Sequence, residues 1–95
     1  MMVLNVRVLK DWEALLRNRR EMATRCWDHL SQTPFQPVGS RYGPLKPPMD
    51  TFTFEGSELP QWQYEIDNAA RVKVALGKDF VVVVRVATGH PKENE

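Results

Sequence analysis

The feature that most restricts this fold is the stretch from Gln61 to Glu95, in which strand-length runs are separated by gaps no longer than a turn. Trp62, Tyr64 and Ile66 alternate with Gln63, Glu65 and Asp67, and Val72, Val74 and Leu76 alternate with Arg71, Lys73 and Ala75. A period of two sends successive side chains to opposite faces, so each run is a half-buried strand. Phe80 to Val86 is almost wholly β-branched and has no alternation before Arg85, the pattern of a strand covered on both faces and hence of the middle of the sheet. Asp67-Asn68-Ala69 and Gly77-Lys78-Asp79 supply turn residues between the runs, and connections this short join antiparallel neighbours. The expected centre of the fold is an antiparallel meander from Gln61 to Ala87.

The first half of the chain has to cover that sheet. Val3 to Leu9 carries Leu4, Val6 and Val8 on one side and reads as a strand. Asp11 is a plausible helix N-cap, and Trp12, Leu15, Leu16, Arg19, Ala23, Cys26, Trp27 and Leu30 then recur at intervals of three and four. Helices are expected within Asp11 to Ser31, with a bend at the polar cluster Asn18-Arg19-Arg20 and Trp12 and Trp27 as buried anchors. Thr33 to Asp50 holds five prolines and two glycines, which forbids regular helix or central strand and leaves a long loop. Thr51 to Glu55 adds a further strand, and Gly56-Ser57-Glu58 turns the chain towards Pro60 and the meander. Helices gathered on one face of an antiparallel sheet define an α+β fold.

A chain of 95 residues builds one core, so residues 1–95 are read as a single domain. No run of about 18 apolar residues is present, and MMVLNVRVLKD lacks the basic region and cleavage site of a signal peptide; a cytoplasmic protein without a membrane partner is expected. Cys26, the one cysteine, has no internal partner and falls on the helical apolar stripe, as a structural thiol would. There is no glycine-rich phosphate loop, no paired Cys or His metal spacing and no nucleophile elbow, so neither a metal nor a cofactor is expected. Net charge is +1, but its distribution is uneven: Met1 to Lys46 holds eight Lys or Arg against four Asp or Glu, and the remainder holds five against eight. The helical half can therefore present a basic face.

Two groups of polar residues could carry chemistry. After the last strand, Gly89 frees the backbone and Pro91 fixes it, so that His90, Lys92 and Glu93 leave the sheet as a hook with a set direction. In a meander, Arg71 at the start of one strand lies at the same end as the root of that hook. A guanidinium, an imidazole, an ammonium and a carboxylate suffice for RNA cleavage without a metal, with proton transfer by the imidazole or carboxylate and the cations on the phosphorane. The plainer alternative is a solvated tail, with Arg71 paired to Glu65 or Asp67 across the hairpin. The second group is Arg41, Tyr42 and Lys46 in the loop, cations and an aromatic ring compatible with RNA phosphates and bases, or simply the solvated cations of a proline-stiffened loop.

Pro44-Leu45-Lys46 after the helices, the hairpin WQYEIDNAARVKVAL and the apolar last strand running into TGHPKENE together resemble the RelE/ParE superfamily of bacterial toxins, and its RelE-like members most. The resemblance extends over essentially the whole chain. It implies the RelE-like α+β fold and a toxin of a type II toxin–antitoxin system, acting as a ribosome-dependent, metal-independent mRNA endoribonuclease that inhibits translation. The alternative it implies is a non-enzymatic ParE-like toxin that inhibits gyrase by binding, or a relative that has lost toxicity. Arg71 then corresponds to the arginine that contacts phosphate, and His90 and Lys92 fall where such nucleases carry basic and acid/base groups. The implied partners are a cognate antitoxin forming a hetero-oligomer, the ribosome and messenger RNA.

Overall fold

The computed structural model describes residues 1–88; His90, Lys92 and Glu93 lie outside the described residues. The meander consists of β4 (Ser57–Glu65), β5 (Arg71–Leu76) and β6 (Val81–Ala87), each antiparallel to the next. Asp67 closes the first turn by accepting from the backbone N–H groups of Ala70 and Ala69, at 2.7 and 2.9 Å. At the second turn Gly77 donates to the Phe80 carbonyl at 2.8 Å, and the Phe80 ring lies where a β-carbon on residue 77 would stand. The sheet order is β1-β6-β5-β4-β2, which puts β5, not β6, at the middle. The continuous valine run of β6 reflects burial on both faces, and that does not require the central place.

The N-terminal segment departs from the expected strand. β1 spans only Met2–Val3 and pairs parallel with β6, and α1 (Val6–Asn18) already includes Val6 to Leu9. The N-cap is Asn5 rather than Asp11: its side chain accepts from the Val8 N–H at 3.0 Å. This satisfies one of the orphan donors of the first turn. Val8, Trp12 and Leu15 then stack on one helical stripe and are buried. α2 (Arg20–Gln32) follows after a break at Arg19, at the expected bend, and buries Ala23, Cys26 and Leu30. Trp12 is buried, whereas Trp27 is half-buried beside it, ring centres 5.4 Å apart. Trp27 lies at the outer margin of the helix pair, where Trp12, Leu16, Thr24 and Trp27 border an apolar hollow of 360 Å³.

The proline-rich loop contains β2 (Tyr42–Pro44), an edge strand antiparallel to β4, with Pro44 at its end where the missing N–H does no harm. β3 (Thr51–Phe54) forms a hairpin with the first residues of β4 through Glu55-Gly56, both at positive φ. That pair is a two-residue turn matched to strand twist, so Ser57 and Glu58 belong to β4 rather than to the turn. The two sheet faces differ. Val72, Val74, Leu76, Val81, Val83 and Val86 join Tyr42, Tyr64 and Ile66 under the helices, whereas Ala75, Val82 and Val84 form a small apolar cluster on the other face beneath Phe52, Phe54 and Leu59 of the β3–β4 hairpin. Among the described residues no helix is long and apolar enough to cross a membrane.

Candidate nucleic-acid interface on the open sheet face

Strand register decides which polar residues meet on the face away from the helices. Glu65 is opposite Arg71, and Arg71 is opposite Ala87. One period along the strands, Gly43, Gln63, Lys73 and Arg85 stand side by side across β2, β4, β5 and β6. Lys73 faces Arg85 but Val74 faces Val83, so Val84 is an extra residue in β6; this bulge sits beside the polar rows. Gln63, Arg71, Lys73, Arg85 and Ala87 line a common hollow of 280 Å³. Further along, the Phe52, Phe54 and Leu59 cover excludes water from Ala75 and Val82, so the face is cationic at one end and apolar at the other.

Arg71 is held in place by its turn. Its Nη2 lies 3.2 Å from Glu65 Oε2, and its Nη1 donates to the carbonyls of Asn68 and Asp67 at 3.3 and 3.5 Å. The turn is itself tied to the helix break, because Arg19 pairs with Asp67. The two backbone N–H bonds from Ala70 and Ala69, together with Arg19, lower the Asp67 carboxyl from its ordinary value of 3.8 to about 2. The Glu65–Arg71 pair expected in the plainer reading is thus present, with about a third of each side chain exposed. A pair so accessible is worth about 0–1 kcal/mol, so an incoming phosphate can replace the carboxylate at little cost.

The chain superposes on the YoeB/ParE toxin from Agrobacterium tumefaciens with a TM-score of 0.61 at 19% identity, over 92% of this chain and 97% of that one. This is the fold of the YoeB/ParE toxins. A chain of the YoeB-YefM complex from Staphylococcus aureus superposes equally well, with a TM-score of 0.62 at 8% identity over 90% of this chain and 91% of that one. No protein-family model matches the sequence, and no curated protein sequence matches it significantly. The RelE-like α+β architecture expected from the sequence is therefore present, and it is the arrangement of elements that carries the likeness.

Within the YoeB/ParE-like fold the expected site residues separate. Arg71 lies directly opposite Ala87, the last residue of β6. Arg41 lies at the same end, but its Nη1 donates to the carbonyls of Glu65 and Ile66 at 2.8 and 3.0 Å, bracing the end of β4. Tyr42 is a correction: it is fully buried, its hydroxyl donates to the Pro34 carbonyl at 2.5 Å, and its ring packs among His29, Trp62 and Tyr64. Burial pushes its phenol above the ordinary range, and no face of the ring is open to a base. Lys46 is exposed beyond Leu45, which bonds Gln61, so it stands roughly 15 Å along the strands from the Arg71 row. Lys73 and Arg85 were not among the expected site residues, although Arg71-Val72-Lys73 alternation and a lone arginine in a valine strand mark both in the sequence. Among the described residues no three of His, Cys, Asp or Glu are grouped to hold a metal ion.

Proposed function

We propose that this chain is the toxin of a type II toxin–antitoxin pair and that it cleaves translated messenger RNA, without a metal, on the open face of its sheet. The observation that carries this reading is the place of Arg71: a guanidinium fixed by turn carbonyls, in a cationic hollow, directly opposite the residue from which the chain runs towards His90, Lys92 and Glu93. In the reaction, the 2′-hydroxyl oxygen bonds to the adjacent phosphorus and the bond to the next nucleotide's 5′ oxygen breaks. A 2′,3′-cyclic phosphate and a 5′-hydroxyl result. Arg71 and Lys92 stabilise the charge that develops on the phosphorane; His90 acts as acid or base, and the Glu93 carboxylate completes the proton-transfer set.

The YoeB-YefM complex supports an antitoxin as partner, and the helices offer it a surface here. Leu16, Arg17 and Arg20 line a second hollow on the helix pair, near the apolar one beside Trp12 and Trp27. An acidic, amphipathic antitoxin segment would bury those apolar groups, pair with the two arginines and continue to the Arg71 end of the sheet, excluding RNA. The protein acts in the cytoplasm, where the ribosome and message are.

The test is induced expression in a bacterial host with transcript ends mapped across the genome. Cuts that keep the reading frame within translated messages are expected, and they should vanish in the Arg71→Ala variant. Growth arrest with intact transcripts and gyrase-poisoned DNA would replace the nuclease reading with the ParE-like one.

A further inference from the structure

We infer that Lys73 and Arg85, with Gln63 beside them, form a second phosphate subsite that holds the single-stranded RNA backbone next to the phosphate gripped by Arg71. This rests on the nuclease reading and adds to it a residue set outside the expected catalytic group. Lys73 and Arg85 are direct cross-strand partners. Like charges in that position oppose folding. Neither forms an ion pair with any of the described residues, whereas Arg7, Arg19, Arg25 and Arg71 all do. The sheet therefore carries a juxtaposition that costs stability and that an anion between the two cations would relieve.

The surroundings identify the anion. β6 is valine at every position from Val81 to Val86 except Arg85, and the bulge at Val84 sits immediately before it. Arg85, Lys73 and Gln63 share one hollow with Arg71, and their row is offset from the Arg71 row by two residues, about 6.8 Å. That offset suits consecutive phosphates on an extended strand. A guanidinium fork can take both non-bridging oxygens of one phosphodiester, with the lysine as a second point charge. At the far side of the row Gly43 has no side chain, and a β-carbon built there would meet nothing, so the lane is open for the strand to continue. Glu65, in the adjacent row, distinguishes RNA from an acidic peptide: its carboxylate repels another carboxylate but accepts from a ribose hydroxyl.

The experiment measures binding of a fluorescent RNA octamer with its 2′-hydroxyls intact, in the absence of ribosomes and with its integrity checked on a gel, over a series of salt concentrations. Compared with the wild type, Lys73→Gln/Arg85→Gln should bind about ten- to a hundredfold more weakly. The slope of log affinity on log salt should be shallower by about 0.7, one phosphate's worth for a single strand. The charge-conserving Lys73→Arg/Arg85→Lys variant should keep both affinity and slope, and melting temperatures should confirm that all variants are folded. An unchanged affinity and slope in the glutamine variant overturns the subsite, as does a wild type that does not bind the octamer. Tighter binding of an eight-residue polyglutamate, lost in the glutamine variant, also overturns it by assigning the row to an acidic protein. Loss of RNA cleavage in Arg71→Ala with normal octamer binding by Lys73→Gln/Arg85→Gln rejects the subsite alone. Weak octamer binding by that variant while Arg71→Ala still cleaves supports the subsite and rejects the catalytic reading instead.

Discussion

The two faces of one sheet differ in burial, and on the proposed reading that difference separates stability from chemistry. Under the helices, Val72, Val74, Val83 and Leu76 are almost completely excluded from water and pack against Leu15, Cys26 and Leu30. On the other face, the alternate residues of the same strands, Arg71, Lys73 and Arg85, border an open hollow, and only the far end is closed by Phe52, Phe54 and Leu59. Because side chains alternate along a strand, Arg71 and Val72 are chain neighbours on opposite faces. A substitution on one face should therefore change folding and leave chemistry to the other.

Trp12→Ala should give the largest stability effect, since it removes a buried indole that meets Trp27 and the sheet beneath it. A loss of about 3–5 kcal/mol is expected from such truncations, read as a lower denaturant midpoint. A loss below about 1 kcal/mol would break the comparison by showing that the helix-covered face is not the main source of stability. Tyr42→Phe keeps the ring but leaves the Pro34 carbonyl without its donor. It should cost about 0.5–1.5 kcal/mol in the same measurement. No loss at all would mean that the hydroxyl adds nothing to the aromatic packing.

A smaller effect is expected at the turn that ties the two faces together. The Asp67 carboxyl sits at about 2 in the folded protein against an ordinary 3.8, through Ala70 and Ala69 N–H groups and Arg19. Because the folded value is the lower one, the unfolded chain binds the proton more readily. The stability contributed by Asp67 is complete above about pH 4 and is lost as pH falls towards 2. Denaturant midpoints of the wild type should fall across that window, and Asp67→Asn should make the curve flatter there. Equal slopes for both proteins would remove Asp67 from the account.

What could be read from the sequence depended on whether a signal was local. The meander was legible because Trp62 to Ile66 and Val72 to Leu76 alternate without interruption and short turns fix their pairing. The start of α1 was not, because Leu4, Val6 and Val8 satisfy a period of two while Val8, Trp12 and Leu15 satisfy a helical one. The Asn5 cap and the helical stripe prevail, since only a helix buries Val8 with Trp12. Tyr42 was misjudged because five prolines imply an exposed loop, and the pairing of β2 with β4 that turns the ring inward joins residues far apart in sequence. Arg71 was legible as a strand start. The Lys73–Arg85 row was not read from the sequence, because it depends on the register between β5 and β6 and on the bulge at Val84.

The division between faces is tested most directly at Arg71, by measuring message cleavage on purified programmed ribosomes and denaturant stability on the same Arg71→Ala preparation. Its pair with Glu65 is partly exposed, so stability should change by less than about 1 kcal/mol. Loss of one electrostatic donor to the transition state is worth about 2.7–4 kcal/mol, so cleavage should slow about a hundred- to a thousandfold. Undiminished cleavage by a stable Arg71→Ala protein would contradict the account, because the open face would then not be where the RNA is cut.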